Sequence, residues 1–142
     1  MRLIGFNLRR LSAERKKDIK GKLEIKSNLT INKIEKEEID IAGEVLRFDF
    51  LYEIKYEPGF ADVIFEGVVL VIPEDSKKIL KEWKKKKIAE EIRIPIFNFI
   101  MSKCNIKALQ LEEEFNLPLH LPMPRLSKQQ QNGQTGQANY AG

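Results

Sequence analysis

The chain has 142 residues but only one cysteine and one histidine. These two side chains supply most zinc sites, all disulfides and many catalytic nucleophiles and bases. A single cysteine cannot form an internal disulfide, which favours a reducing compartment, and we predict the cytoplasm. The sequence also has no phosphate-binding loop and no dinucleotide-binding glycine motif. We therefore predict a protein that is not an enzyme and that binds no cofactor and no metal.

Long apolar runs are also absent. The N-terminal apolar residues are interrupted by polar ones and end at Arg9 and Arg10, which argues against a signal peptide and a membrane span. We interpret Cys104 as a small core residue and His120 as a solvated or hydrogen-bonded neighbour of a groove. The acidic run Glu112-Glu113-Glu114 is interpreted as solvated charge.

The charge balance is close to neutral, with 25 basic and 21 acidic residues interleaved along the chain and a net charge of +4. Such a balance is typical of a solvated surface. Two basic clusters nevertheless leave open an RNA-binding or ribosome-associated module as the alternative function. They consist of Arg9, Arg10, Arg15, Lys16 and Lys17, and of Lys84, Lys85, Lys86 and Lys87.

Alternating apolar residues predict four β-strands in the first half of the chain. The first contains Ile4, Phe6 and Leu8, the second runs from Leu23 to Ile31, and the third from Leu46 to Tyr56. Pro58 and Gly59 then supply a turn, so the fourth strand, residues 61–72, should fold back antiparallel. The length allows one domain, which we place at residues 1–126.

The fourth strand is apolar on both faces. One helix layer covers only one face of a sheet, and large exposed apolar patches are rare on monomers. We therefore predict a homo-oligomer formed through the sheet. The predicted interface residues are Val63, Phe65, Val69 and Val71.

Two helices are predicted after the strands. Asp75 and Ser76 are capping residues for the start of a short helix. Pro95 should start or kink a longer helix, which we expect to end near Leu111 because carboxylates are unfavourable at a helix C-terminus. Its apolar residues cover roughly 200° of the helix surface, against the roughly 100° that docking on a core requires. The surplus predicts a second partner.

The segment after the long helix alternates apolar residues with prolines from Leu117 to Pro124. Proline excludes both a helix and a central strand, so we predict an extended segment beside the helix, as a groove wall or a strap. The candidate contact residues for a partner are Phe97, Phe99, Met101, Leu117, Leu119, Leu121 and Met123. Residues 127–142 are predicted to form a disordered Gln/Gly-rich tail.

This order of elements resembles the SecB family of export chaperones. The resemblance lies in the residues Ile94-Pro95-Ile96-Phe97-Asn98-Phe99, and in Phe115-Asn116-Leu117-Pro118-Leu119-His120-Leu121-Pro122-Met123, which is similar to the family's Phe-Pro-x-Leu-x-Leu-x-Pro-Val segment. It implies an ATP-independent holdase for protein transport, built as a homotetramer (a dimer of dimers), with grooves for unfolded or nascent polypeptides. Two departures concern binding to the export motor: the chain is basic, and its helix ends on glutamates where the family favours glycine.

Together these patterns predict an α+β fold, with a four-stranded antiparallel sheet and the C-terminal helices on one face. The predicted function is a holdase chaperone that binds unfolded polypeptide between helix and sheet. An alternative interpretation is that subunit packing uses all of the surplus apolar surface.

Overall fold

The computed structural model describes residues 1–40 and 43–124. The predicted tail, residues 127–142, lies outside the described residues. The described chain forms four strands followed by two helices. In chain order these are β1 (Arg2–Arg15), β2 (Glu24–Ile39), β3 (Gly43–Glu57), β4 (Ala61–Ile72), α1 (Ser76–Trp83) and α2 (Glu90–Glu114).

The strands form one antiparallel sheet in the order β1-β4-β3-β2. The predicted hairpin between β3 and β4 is present, and Gly59 in its turn adopts a φ of 65°, a conformation that glycine adopts without steric cost. Strand β1 pairs with β4 and leaves β2 on the other edge. Strands β1 and β2 are both longer than the alternation predicted. The predicted α+β fold class is confirmed.

The hydrophobic core lies between the sheet and α2. Phe48, Phe50 and Phe65 of the central strands are buried there with Ile96 and Ile100 of α2. Near the β1 edge, Phe6 stacks on Phe50 at 5.7 Å between ring centroids and meets Phe99 of α2 edge-on at 5.9 Å. These aromatic contacts join the β1 side of the sheet to α2.

The residues predicted as the oligomer interface belong to this core. Val63, Phe65, Val69 and Val71 have no exposed area within the single chain and pack in the same cluster as α2. They are therefore not available to a second copy. The other apolar face of β4 points away from that core. It carries the half-buried side chains of Ile64, Leu70 and Ile72. The alternation showed two apolar faces but could not show which one the helix covers.

Helix α1 begins where the capping residues predicted it. The Asp75 carboxylate accepts a hydrogen bond from the backbone N–H of Lys78 at 3.2 Å, as an N-cap residue does. Ile79 turns into the core. Neither helix in the described part of the chain is long and apolar enough to cross a membrane.

Helix α2 is longer at both ends than predicted. It continues through Pro95, and it includes Glu112-Glu113-Glu114, so the expected end near Leu111 was wrong. The carbonyls at its C-terminus have a cationic partner from β1: the Arg15 guanidinium donates to the carbonyls of Phe115 at 2.9 Å and Asn116 at 2.7 Å. A cation at this end offsets the helix dipole that disfavours the glutamates.

Candidate functional site

The segment after α2 forms an extended strap, which we define as residues 117–124. Asn116 adopts a φ of 55° and turns the chain, Leu117 is buried, and the following residues run back beside the helix. The Tyr56 hydroxyl of β3 donates to the carbonyl of Pro118. The strap is therefore bonded to the sheet at its start, and its extended course agrees with the proline pattern.

Three apolar side chains of the strap are exposed. The exposed fractions are 38% for Leu119, 37% for Leu121 and 56% for Met123. They alternate with His120, whose side chain is only 1% exposed. A stretch of five residues therefore presents three large apolar side chains outward, and such exposed patches mark interaction sites.

The other predicted contact residues have different environments. Leu117 is only 5% exposed and belongs to the core. Phe97, Phe99 and Met101 are half-buried against the core. Phe99 contacts Phe6 at the β1 side of α2. At 100° per residue, Phe97 and Met101 each lie about 160° around the helix from Phe99. The structure therefore does not bring all seven predicted residues into one surface.

Beneath the strap lies a buried polar network that the sequence analysis missed. The Glu112 carboxylate is 0% exposed, so its interpretation as solvated charge was wrong. The His120 ring nitrogen Nδ1 lies 2.9 Å from Glu112 Oε1 and 2.7 Å from Oε2, and the His120 backbone N–H donates to Oε1 at 3.0 Å. Among the described residues Oε2 accepts no well-aligned hydrogen bond, and the His120 ring is the group placed closest to it.

The network continues from His120 to the sheet. Its Nε2 lies 2.9 Å from Asn105 Oδ1, which also accepts a hydrogen bond from the Tyr52 hydroxyl of β3 at 2.7 Å. A protonated ring donates from both nitrogens in this geometry. A neutral ring would require the Asn105 amide to turn so that its nitrogen donates. The network thus joins the strap, α2 and β3.

The tyrosines of this region remain protonated donors. Burial, followed by the negative charge of Glu112, raises the pKa of Tyr56. Burial also raises the pKa of Tyr52. Because desolvation disfavours the phenolate, both hydroxyls keep their protons at neutral pH and continue to donate to the strap and to Asn105.

Cys104 of α2 has the core position that its spacing predicted. It has no exposed area, and burial raises the pKa of its thiol to about 12. Such a thiol is a poor nucleophile because the thiolate is the reactive form. No group of three or more potential metal ligands occurs among the described residues.

We expect Cys104 to resist alkylation in the folded protein. A rise in pKa from 9.0 to about 12 leaves about a thousandfold less thiolate near pH 8. Iodoacetamide labelling followed by mass spectrometry should be slow in buffer and fast in urea. The raised pKa also means that this thiol contributes stability below pH 9 and loses it as the pH rises towards 12. Equal labelling rates in buffer and urea would contradict the buried position.

Most of the first basic cluster is engaged within the chain. Arg10 pairs with Glu66 at 3.2 Å and Lys16 with Asp62 at 3.0 Å. Arg15 caps α2, and Lys17 lies over the Phe60 ring at 5.0 Å. These contacts leave less of the cluster free for phosphate groups than the sequence suggested.

The second basic cluster belongs to a different part of the fold. Lys84 to Lys87 follow α1, which begins beyond the opposite end of β4 from Arg15. Lys86 lies 4.5 Å from the centre of the Trp83 ring. The two clusters therefore do not share one strand or one helix.

No protein-family model matches the chain, and no curated protein matches it. Among solved structures, the chain is similar to the SecB-like chaperone Rv1957 of Mycobacterium tuberculosis, solved in complex with a ChAD peptide from the Rv1956 HigA1 antitoxin. The TM-score is 0.51 and the identity 18%, over 89% of this chain and 90% of that chain. The fold is thus that of a SecB-like chaperone.

Proposed function

We propose that this protein is an ATP-independent holdase chaperone that binds unfolded or nascent polypeptides on the apolar surface of the strap. The observation that carries the proposal is the outward presentation of Leu119, Leu121 and Met123 by a segment bonded to α2 and β3. The fold similarity to a SecB-like chaperone solved with an antitoxin peptide supports it.

The chemistry of this surface suits clients of varied sequence. Leucine and methionine gain binding energy from buried apolar area, which any unfolded chain offers. The unbranched thioether of Met123 and of the half-buried Met101 adapts to different partners. The half-buried Phe97 lies on the same side of α2 as Met101. We propose that these two residues extend the client surface beyond the strap.

The proposal also covers assembly and location. We expect a cytoplasmic homo-oligomer, a dimer or a dimer of dimers, that acts without cofactor, metal or catalysis and inserts into no membrane. The assembly is expected because β4 carries a second row of apolar side chains, Ile64, Leu70 and Ile72, outside the core that α2 covers. Light scattering on the purified protein measures the number of chains.

We expect Leu119→Asp and Leu121→Asp to weaken client binding by about thirtyfold each, the scale of an interface hot spot of about 2 kcal/mol. An aspartate at either position places a carboxylate where the client offers apolar surface. The measurement is the affinity for a labelled, permanently unfolded protein, together with protection of a client from aggregation. Wild type should bind and protect.

Ile106→Asp is the matched control for this prediction. Ile106 is also an exposed apolar residue, and it is 65% exposed on α2. It lies about 120° around the helix from the buried Ile100, on the opposite side of Ile100 from Asn105, which contacts the strap. Its replacement should leave client affinity within about twofold, provided that light scattering shows the wild-type mass. Equal losses in all three variants would contradict a client surface on the strap.

A salt series separates the holdase from the RNA-binding alternative. Apolar client contacts persist as ionic strength rises, whereas phosphate contacts release counterions and weaken steeply. We expect client binding to survive moderate salt and RNA binding to be weak. Tight RNA binding that is lost when Lys84 to Lys87 are neutralised, without any effect on client aggregation, would instead support the alternative.

A further inference from the structure

The strap has one buried side chain after Pro118. Within residues 118–124 the side chain of His120 is 1% exposed, whereas the other residues of this stretch are exposed. Neither Leu119 nor Leu121 therefore anchors the strap in the core. Between Leu119 and Leu121, His120 makes the buried polar contacts to α2.

The buried partners of His120 come from rigid elements. Glu112 and Asn105 lie seven residues, or about two turns, apart on α2, and Asn105 is bonded in turn to Tyr52 of the central strand β3. The Glu112 carboxylate bonds both the ring and the backbone N–H of His120. One residue of the strap is thus held to α2 at Glu112, through its ring and its backbone N–H, and at Asn105, through its ring.

We propose that His120 is the positioning residue of the client surface: its ring fixes residues 118–124 against α2, and this fixed position sets the affinity for unfolded polypeptide. The proposal rests on the proposed function, because client affinity is its consequence. The histidine itself does not contact the client, since its side chain faces Glu112 and Asn105. It acts through the side chains that flank it.

The physical basis is preorganisation. A strap that is free in solution must be ordered when a client binds, and this ordering reduces the observed affinity. If loss of the anchor leaves the strap in the bound position only a tenth of the time, the apparent dissociation constant rises about tenfold. The intrinsic contacts of Leu119, Leu121 and Met123 would be unchanged.

The test compares two double variants that differ only at position 120. Glu112→Leu/His120→Ala, the Leu/Ala variant, removes the anchor together with the carboxylate that would otherwise remain buried without its partner. Glu112→Leu/His120→Leu, the Leu/Leu variant, removes the same two polar groups but supplies an apolar anchor, since a buried ion pair can be replaced by packed apolar residues. Any effect of charge alone is therefore common to both variants.

The first readout requires no client. A nitroxide label on Leu121→Cys, in a Cys104→Ala background, reports strap motion through its spectral line width. We expect a broad line in the wild-type network and in the Leu/Leu variant, and a narrow line typical of a flexible peptide in the Leu/Ala variant. Ile34→Ala, a core change on β2 at a residue 5% exposed, is the control for general destabilisation and should leave the line broad.

The second readout is affinity for the unfolded client, measured without the label. We expect about a tenfold loss in the Leu/Ala variant and a value within about threefold of wild type in the Leu/Leu variant. A broad line in the Leu/Ala variant would overturn the anchoring role. Two outcomes would overturn the link between the position of the strap and client affinity. One is a narrow line with unchanged affinity in the Leu/Ala variant, and the other is a broad line without client binding in the Leu/Leu variant. If wild type binds no client while the Leu/Ala line narrows, the proposed function fails and the anchoring role stands.

Discussion

Replacement of His120 by alanine is expected to lower the free energy of unfolding by about 3 to 5 kcal/mol, the cost of removing one partner of a buried ion pair. The change leaves the Glu112 carboxylate, which has no exposed area, without the ring that lies within 2.9 Å of both its oxygens. Urea denaturation at one fixed protein concentration measures the loss.

A double variant provides the control for this prediction. Glu112→Leu/His120→Leu removes both charges and should remain within about 1 kcal/mol of wild type. A loss below 1 kcal/mol in the single variant at pH 8 would show that the pair contributes little.

The parts of the fold that the sequence predicted depend on local chemistry. The bounds of β4 agree with the alternation of apolar residues from Ala61 to Ile72, and its hairpin with β3 depends on Pro58 and Gly59 next to it in the chain. The start of α1 requires only the Asp75 cap, three residues from its hydrogen-bond donor. In each case the residues that determine the structure lie within a few positions of it.

The parts that the sequence did not predict depend on distant residues. At the true end of α2, the Arg15 guanidinium donates to the carbonyl of Phe115, which lies 100 residues later in the chain. The pairing of β1 with β4 rather than with β2 is likewise nonlocal. No window of a few residues contains these partners, so propensity and dipole arguments alone placed the helix end too early.

Glu112 could have been recognised from a signal in the sequence. The buried residues of α2 are Ile96, Ile100, Cys104, Ala108 and Glu112, a regular series at intervals of four. Residues four apart share one face of a helix, so the glutamate continues the core row. A lone histidine eight residues later, in an otherwise apolar segment, is the natural candidate for its partner.

Gly67→Ala is the second prediction with a large expected effect. A Cβ at this position would lie 2.4 Å from the backbone oxygen of Asn7 on β1 and 3.0 Å from the Phe50 ring on β3. Neither neighbour can yield without moving a strand or the ring on which Phe6 stacks. We therefore expect a loss of about 3 kcal/mol in the free energy of unfolding, the upper end of the usual cost of overpacking, measured by urea denaturation.

Gly5→Ala tests the same pair of strands with a different neighbour. Its Cβ would meet the Leu70 side chain, with Cδ1 at 3.2 Å. Because Leu70 is half-buried on the face away from the α2 core, its side chain can rotate, and we expect a loss of less than about 1 kcal/mol. A Gly67→Ala loss as small as that of Gly5→Ala would mean that β1 can move away from β4 at little cost. The close approach of Asn7 and Phe50 to Gly67 would then not depend on glycine at this position.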